Sequence, residues 1–93
     1  MASITLTKRS VDAAEPGRHY DRKLPGFGLY VGRTGTKSYF FEYRPGRGRA
    51  IAKRRIAIGR HGAPWTPEQA RDKALEYLAM VKAGRDPLAE REA

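Results

Sequence analysis

The side chains in this sequence that are best able to do chemistry are basic, and they are concentrated in one block. Residues 33–60 hold nine Lys and Arg and a single acid, whereas the whole chain holds 19 Lys and Arg against 10 Asp and Glu, a formal net charge of +9. Guanidinium and ammonium groups bind phosphates and carboxylates. Clustered charge of one sign repels itself unless an anionic partner relieves the repulsion. The block therefore predicts a binding surface for a polyanion.

Residue types that support catalysis or metal binding are present but form no recognisable site. The chain has no Cys, and its two histidines, His19 and His61, are far apart with no carboxylate at ligand spacing. Its serines lack a neighbouring base. The glycine-containing stretches 26–28 and 46–49 do not lead directly into a helix, as the phosphate-binding loops of nucleotide sites do. We therefore expect no catalytic residue, metal ion, cofactor or small-molecule substrate for this chain.

The length of 93 residues is typical of one small domain. A domain of this size has a thin core with little room for an enclosed substrate pocket, which argues against an enzyme. No segment has the apolar length of a signal peptide or of a membrane span. We therefore expect no membrane partner and a cytoplasmic location.

Three segments have strand composition and would position the basic block. They cover residues 27–31, 37–44 and 51–59, with a turn at Leu24-Pro25-Gly26 and a hairpin loop at residues 32–36. Alternating side chains along a strand point to opposite faces of a sheet. The apolar face would carry Leu29, Val31, Tyr39, Phe41, Tyr43, Ile56 and Ile58.

The opposite face of these strands is polar and mostly basic. It would carry Tyr30, Glu42, Arg44, Lys53 and Arg55. A two- or three-stranded ribbon fits the major groove of B-form DNA, so we predict that these side chains reach base edges. Five further basic residues lie in or beside the loops and suit phosphate contacts: Arg33, Lys37, Arg47, Arg49 and Arg54.

One helix is predicted before the strands in the chain and another after them. Thr66, followed by Pro67 and Gln69, forms the capping pattern of a long helix that covers the apolar face and ends before Gly84. Thr7 predicts the cap of a short N-terminal helix. Residues 18–23 favour an additional strand at the edge of the sheet. The proline-broken, charged residues 86–93 have the composition of a linker or of the start of another element, rather than of a packed terminus.

Several motifs in this order resemble the amino-terminal arm-type DNA-binding domain of phage and genomic-island integrases, which are tyrosine recombinases. The resemblance covers nearly the whole chain. The matching segments are residues 21–31 (DRKLPGFGLYV), 35–39 (GTKSY), 43–44 (YR), 56–60 (IAIGR), 66–71 (TPEQAR) and 84–87 (GRDP).

This resemblance implies an α+β fold in which a three-stranded antiparallel sheet packs on a C-terminal helix. It implies a domain over residues 1–85, with residues 86–93 beginning a linker to core-binding and catalytic domains that are not in this sequence. The implied partners are double-stranded DNA, bound through the major groove at arm-type sites, and neighbouring integrase protomers. The implied role is non-catalytic, in a bacterial, nucleoid-associated recombinase that integrates and excises a prophage or genomic island.

Two alternatives stay open from the residues alone. An RNA-binding module of similar layout would use exposed aromatics on the sheet to stack unpaired bases, and Tyr30 and Phe40 are the candidates. A protein-interaction domain with an acidic partner would also match the charge.

Overall fold

Short strands and three helices make up the part of the chain that the structure, a computed structural model, describes: residues 2–44, 53–62 and 65–92. This α+β composition confirms the predicted fold class. Within these ranges no helix combines the length and apolarity needed to cross a bilayer. In chain order the elements are β1 (Ala2–Ile4), α1 (Lys8–Asp12), β2 (Gly17–Asp21), β3 (Phe27–Val31), β4 (Lys37–Tyr43), β5 (Arg54–Arg60), α2 (Pro67–Lys82) and α3 (Pro87–Glu92).

The strands form one sheet in the order β1-β2-β3-β4-β5. Strands β2 to β5 pair antiparallel, each with the next, and β1 pairs parallel with β2, with Ala2 opposite His19. The additional strand predicted at residues 18–23 is present as β2. It has a neighbour on both sides, because β1 covers the edge that the sequence analysis expected to be open.

The inner face of the sheet carries the core in the alternation that the sequence predicted. Tyr39 and Ile56 are fully buried and Phe41 is 1% exposed. The rings of Phe27 and Tyr39 stack with their centroids 5.9 Å apart, and those of Phe41 and Tyr43 stack at 6.0 Å. Offset stacking of this kind adds to the stabilisation from burial.

Helix α2 covers this inner face and begins as predicted. The Thr66 hydroxyl accepts from the backbone N–H of Gln69 at 3.2 Å, and the Gln69 side chain accepts from the backbone N–H of Thr66 at 3.3 Å, which completes the capping box. Ala70 and Ala74 are fully buried. These small residues let the helix backbone lie close to the sheet.

The end of α2 is a left-handed turn at Gly84, whose φ is +83°. The backbone N–H of Gly84 donates to the carbonyl of Val81 at 3.0 Å, and that of Arg85 donates to the carbonyl of Met80 at 2.9 Å. This is the Schellman motif, in which a residue without Cβ is preferred at the left-handed position. The predicted role of Gly84 is confirmed.

A buried carboxylate joins the N-terminal segment to α2. Asp21, at the end of β2, is 4% exposed and accepts from the backbone N–H groups of Leu6 and Leu24, each at 2.9 Å. It also accepts from Arg71 Nη2 at 3.1 Å. A buried charge costs several kcal/mol unless it is paired. Asp21 therefore fixes the turn before β3 and the orientation of α2 together.

The last residues of the chain form another element, as one of the two predicted alternatives had it, but they are packed on the fold, contrary to prediction. Residues 87–92 form α3, and the preceding Asp86 accepts a hydrogen bond from the Tyr43 hydroxyl and a second from Arg54 Nη1 at 2.9 Å. The backbone N–H of Leu88 donates to the Tyr43 hydroxyl at 3.0 Å. This terminus packs on β4 and β5 because a tyrosine and an arginine supply partners that its own sequence does not reveal.

Candidate nucleic-acid interface

The surface of the sheet opposite the core gathers side chains of four strands, and basic residues that lie in or beside three of them. This surface, the outer face, comprises Arg18, Tyr20, Gly28, Tyr30, Ser38, Phe40, Glu42, Arg44, Lys53, Arg55, Ala57 and Arg60. It holds five cations and one acid. Such a surface attracts a polyanion, since its cations outnumber its single acid.

The five residues predicted to face outward lie together on this surface. Tyr30 is 51% exposed, and Arg44 and Lys53 are exposed where β4 ends and just before β5 begins. Glu42 and Arg55 are directly opposite each other in the register of β4 and β5. The common face is confirmed, and contact with DNA by any of them stays a prediction.

Two arginines of the outer face were missed by the sequence analysis. Arg18 is opposite Tyr30 in the register of β2 and β3, and Arg60 is opposite Ser38 in that of β4 and β5. Both side chains are exposed. The alternation within β2 could have found Arg18, but residues 18–23 were considered only as an edge strand.

Arg60 was missed because β5 contains an irregularity. The register passes from Ala57 opposite Phe40 to Gly59 opposite Tyr39, so Ile58 is an extra residue. An extra residue shifts the alternation by one position beyond it. Gly59 has no Cβ, and a Cβ there would overlap the indole of Trp65. The bulge therefore lies where the strand must admit Trp65, and it turns Arg60 to the outer face.

Phe40 lies at the centre of the outer face but is 4% exposed. Its ring rests on Gly28, where a Cβ would come within 2.5 Å of Cζ of Phe40. Tyr20 packs edge-on at 5.7 Å between centroids, and the Arg55 guanidinium carbon lies 5.1 Å from the ring centroid. The RNA alternative predicted that Phe40 is exposed, and this prediction is wrong. Of the two aromatic candidates for base stacking, only Tyr30 is exposed.

Glu42 has a different environment from the one predicted for a base-reading side chain. Only 6% of its side chain is exposed. Its Oε2 accepts from Arg55 Nη2 at 2.6 Å, from Arg55 Nε at 3.0 Å and from the Tyr20 hydroxyl at 3.1 Å, and Lys53 Nζ lies 3.8 Å from Oε1. A direct contact of Glu42 with bases stays a prediction. In the structure this carboxylate organises the cations around it.

The residues predicted for phosphate contacts are dispersed. Arg33 is exposed in the loop between β3 and β4. Lys37 is the first residue of β4, and its Nζ donates to the carbonyl of Asp12 at 3.0 Å. Arg54 is the first residue of β5 and pairs with Asp86. Arg47 and Arg49 lie outside the described residues.

Two tyrosine hydroxyls are held inside the fold. The hydroxyl of Tyr39 shares a hydrogen bond of 2.7 Å with His61 Nδ1, and burial raises the pKa of Tyr39 far above its ordinary value. The pKa of Tyr43 is raised as well, mainly by burial and next by the hydrogen bond to Asp86. Both hydrogen bonds join elements of the fold, since Tyr39 and Tyr43 lie in β4 while His61 follows β5 and Asp86 precedes α3.

Comparison with known proteins agrees with this geometry. The chain matches no curated protein and no solved structure. The sequence model of one family, described as "Arm DNA-binding domain", matches residues 6–93. That match spans the whole outer face, the core and all three helices. The chain therefore belongs to the arm-type DNA-binding domains of integrases, which are non-catalytic and bind double-stranded DNA.

Proposed function

We propose that this chain binds double-stranded DNA sequence-specifically at arm-type attachment sites. By doing so it positions a site-specific tyrosine recombinase for the integration and excision of a phage or genomic island. The observation that carries the proposal is the outer face, where five cations in or beside β2, β4 and β5 share one surface with a single acid. Membership of the arm DNA-binding family supports DNA as the partner.

The dimensions of the sheet favour the major groove. Neighbouring strands lie about 4.8 Å apart, so β3, β4 and β5 together span about 10 Å, within a groove about 12 Å wide. In this placement Tyr30, Arg44 and Arg55 reach base edges. Arg18, on the next strand, lies at the rim of the groove, where phosphates are the available partners.

We assign phosphate contacts to the remaining basic residues. Both Arg33, in the loop between β3 and β4, and Arg60, the last residue of β5, are exposed at an end of the strands that enter the groove. Lys37 and Arg54 already have partners within the fold, so we expect each to contribute less to the affinity. Lys53 lies beside Glu42 and suits either kind of contact. Arg47 and Arg49 complete the set on the basis of sequence alone.

The recombinase context is also part of the proposal. Core-binding and catalytic domains would follow this domain, with residues 1–85 as the DNA-binding unit and 86–93 as the start of the connection. Neighbouring integrase protomers would be the second partner. DNA as the partner supports a location in the bacterial cytoplasm at the nucleoid.

Sequence specificity is tested with a duplex that the wild-type chain selects from a randomised pool. Fluorescence anisotropy at several salt concentrations compares this duplex with a scrambled one. We expect Arg44→Ala and Arg55→Ala to reduce discrimination by about 1–3 kcal/mol each, since a bidentate base contact is worth that amount.

The matched control is Arg33→Ala. This variant should weaken binding to both duplexes alike and make the salt slope shallower by about one, since it removes one phosphate contact. Equal affinity of the wild-type chain for both duplexes at every salt concentration would overturn the specificity proposal. Stronger binding to single-stranded RNA than to either duplex would favour the RNA alternative.

A further inference from the structure

We infer that Glu42 is a positioning residue that orients Arg55 to read a guanine. The inference rests on the proposed function, and it replaces a direct contact of Glu42 with bases by an indirect one. Two observations carry it: the hydrogen bonds that Glu42 makes with Arg55, and the ring on which the guanidinium lies.

The two hydrogen bonds leave one edge of the Arg55 guanidinium for a ligand. A guanidinium has five N–H groups and offers two bidentate edges, one through Nε and Nη2 and the other through Nη1 and Nη2. Glu42 Oε2 accepts from Nε at 3.0 Å and from Nη2 at 2.6 Å. Its carboxylate thus occupies the first edge. The second edge matches the O6 and N7 acceptors that guanine presents in the major groove.

The orientation of this guanidinium is further restricted by Phe40. The guanidinium carbon of Arg55 lies 5.1 Å from the Phe40 ring centroid, within the range of a cation–π contact. Phe40 is itself seated on Gly28 and packed by Tyr20. Nevertheless 42% of the Arg55 side chain is exposed. A long side chain is therefore ordered before DNA arrives, which lowers the entropy lost on binding.

Burial of Glu42 supports a positioning role over a purely electrostatic one. A carboxylate on a surface that binds a polyanion opposes binding through its charge. Glu42 is only 6% exposed and its charge is compensated by Arg55 and Lys53. Its removal would thus have two separable effects: a gain in affinity for any DNA, and a loss of discrimination at one base pair.

The test uses the duplex selected by the wild-type chain, with single guanines replaced in turn by 7-deazaguanine, which lacks the N7 acceptor. We expect one replacement to weaken binding of the wild-type chain about tenfold and to leave Arg55→Ala unaffected. Binding by the Glu42→Ala variant should also be insensitive to replacement of that guanine. Glu42→Gln keeps an acceptor oxygen in place and should retain most of the sensitivity.

The pair of Glu42 variants separates geometry from charge, because both remove one negative charge. If Glu42→Ala and Glu42→Gln respond alike to 7-deazaguanine, the positioning role is wrong. Partial unfolding does not affect the outcome, since the folded fraction cancels in the ratio of affinities for two duplexes. If no replacement distinguishes Arg55→Ala from the wild-type chain, guanine reading by Arg55 is wrong. If the wild-type chain selects no preferred duplex, the proposed function itself fails.

Discussion

At the scale of residues, the outer face depends on a glycine as much as on its charges. Gly28 provides the space in which the Phe40 ring lies, and that ring supports Arg55. Alternation along the strands predicted that Phe40 faces outward. It did not predict that Phe40 is covered, because the covering side chains come from β2 and β5. The pairing of Glu42 with Arg55 was hidden for the same reason, since it depends on strand register.

Replacing Gly28 with alanine tests this packing. The new Cβ would lie 2.5 Å from Cζ of Phe40 and 2.8 Å from the carbonyl oxygen of His19. We expect Gly28→Ala to destabilise the fold by roughly 1–3 kcal/mol, as overpacking does, measured by urea unfolding. Gly32→Ala is the control, because the nearest atom to its Cβ would be 3.8 Å away, and we expect a change within about 0.5 kcal/mol. Equal effects of the two substitutions would contradict this account of Phe40.

At the scale of elements, the sequence predicted features that depend on neighbouring residues better than it predicted how the elements pair. The helix caps at Thr7 and Thr66, the turn at 24–26, the hairpin loop at 32–36 and the stripe of α2 were all predictable, because each depends on residues close in the chain. The parallel pairing of β1 with β2 and the bulge at Ile58 were not. Packing of α3 depends on Tyr43 and Asp86, which are 43 positions apart, so composition indicated a linker or the start of another element but not a packed terminus.

The packing of α3 predicts a pH dependence of stability. The Tyr43 hydroxyl, more than any other group, holds the pKa of Asp86 below its ordinary value in the folded chain. A carboxyl with a lowered folded pKa stabilises the fold above its unfolded pKa, about 3.9, and this contribution is lost as the pH falls through the folded pKa. We expect Asp86→Asn to cost roughly 1 kcal/mol at pH 7, since it weakens charge-assisted hydrogen bonds in a partly exposed site.

Urea unfolding at pH 7 and at successively lower pH measures this effect. The difference between the wild-type chain and Asp86→Asn should narrow as the pH falls below 3.9. If the two chains differed in their free energy of unfolding by the same amount at every pH, the charge of the Asp86 carboxylate would not be what stabilises the fold. Glu90→Gln is the control, since its carboxylate pairs with Arg85 on the exposed surface, and its urea midpoint should stay close to that of the wild-type chain.

At the scale of the whole molecule, the two sides of the sheet have different tasks. The inner face and α2 supply the core, and the exposed positions of α2 mix acids with bases. The outer face carries five cations against one acid. The sequence predicted a polyanion partner from the basic block alone, and the structure adds Arg18 from outside that block. A basic surface separate from the core is what the binding of DNA requires.

The most direct measurement is an NMR titration of the 93-residue chain with the selected duplex, recording backbone amides and arginine Nε–H signals together. The account predicts that the largest shifts occur in β3, β4 and β5 and at the Nε–H groups of Arg18, Arg44, Arg55 and Arg60. The exposed residues of α2 should move little, and so should the half-buried Arg71 and Lys73, which pair with Asp21 and Glu76 and serve as internal references. Largest shifts on α2, with the arginines of the outer face unchanged, would contradict the central claim that the outer face of the sheet binds DNA.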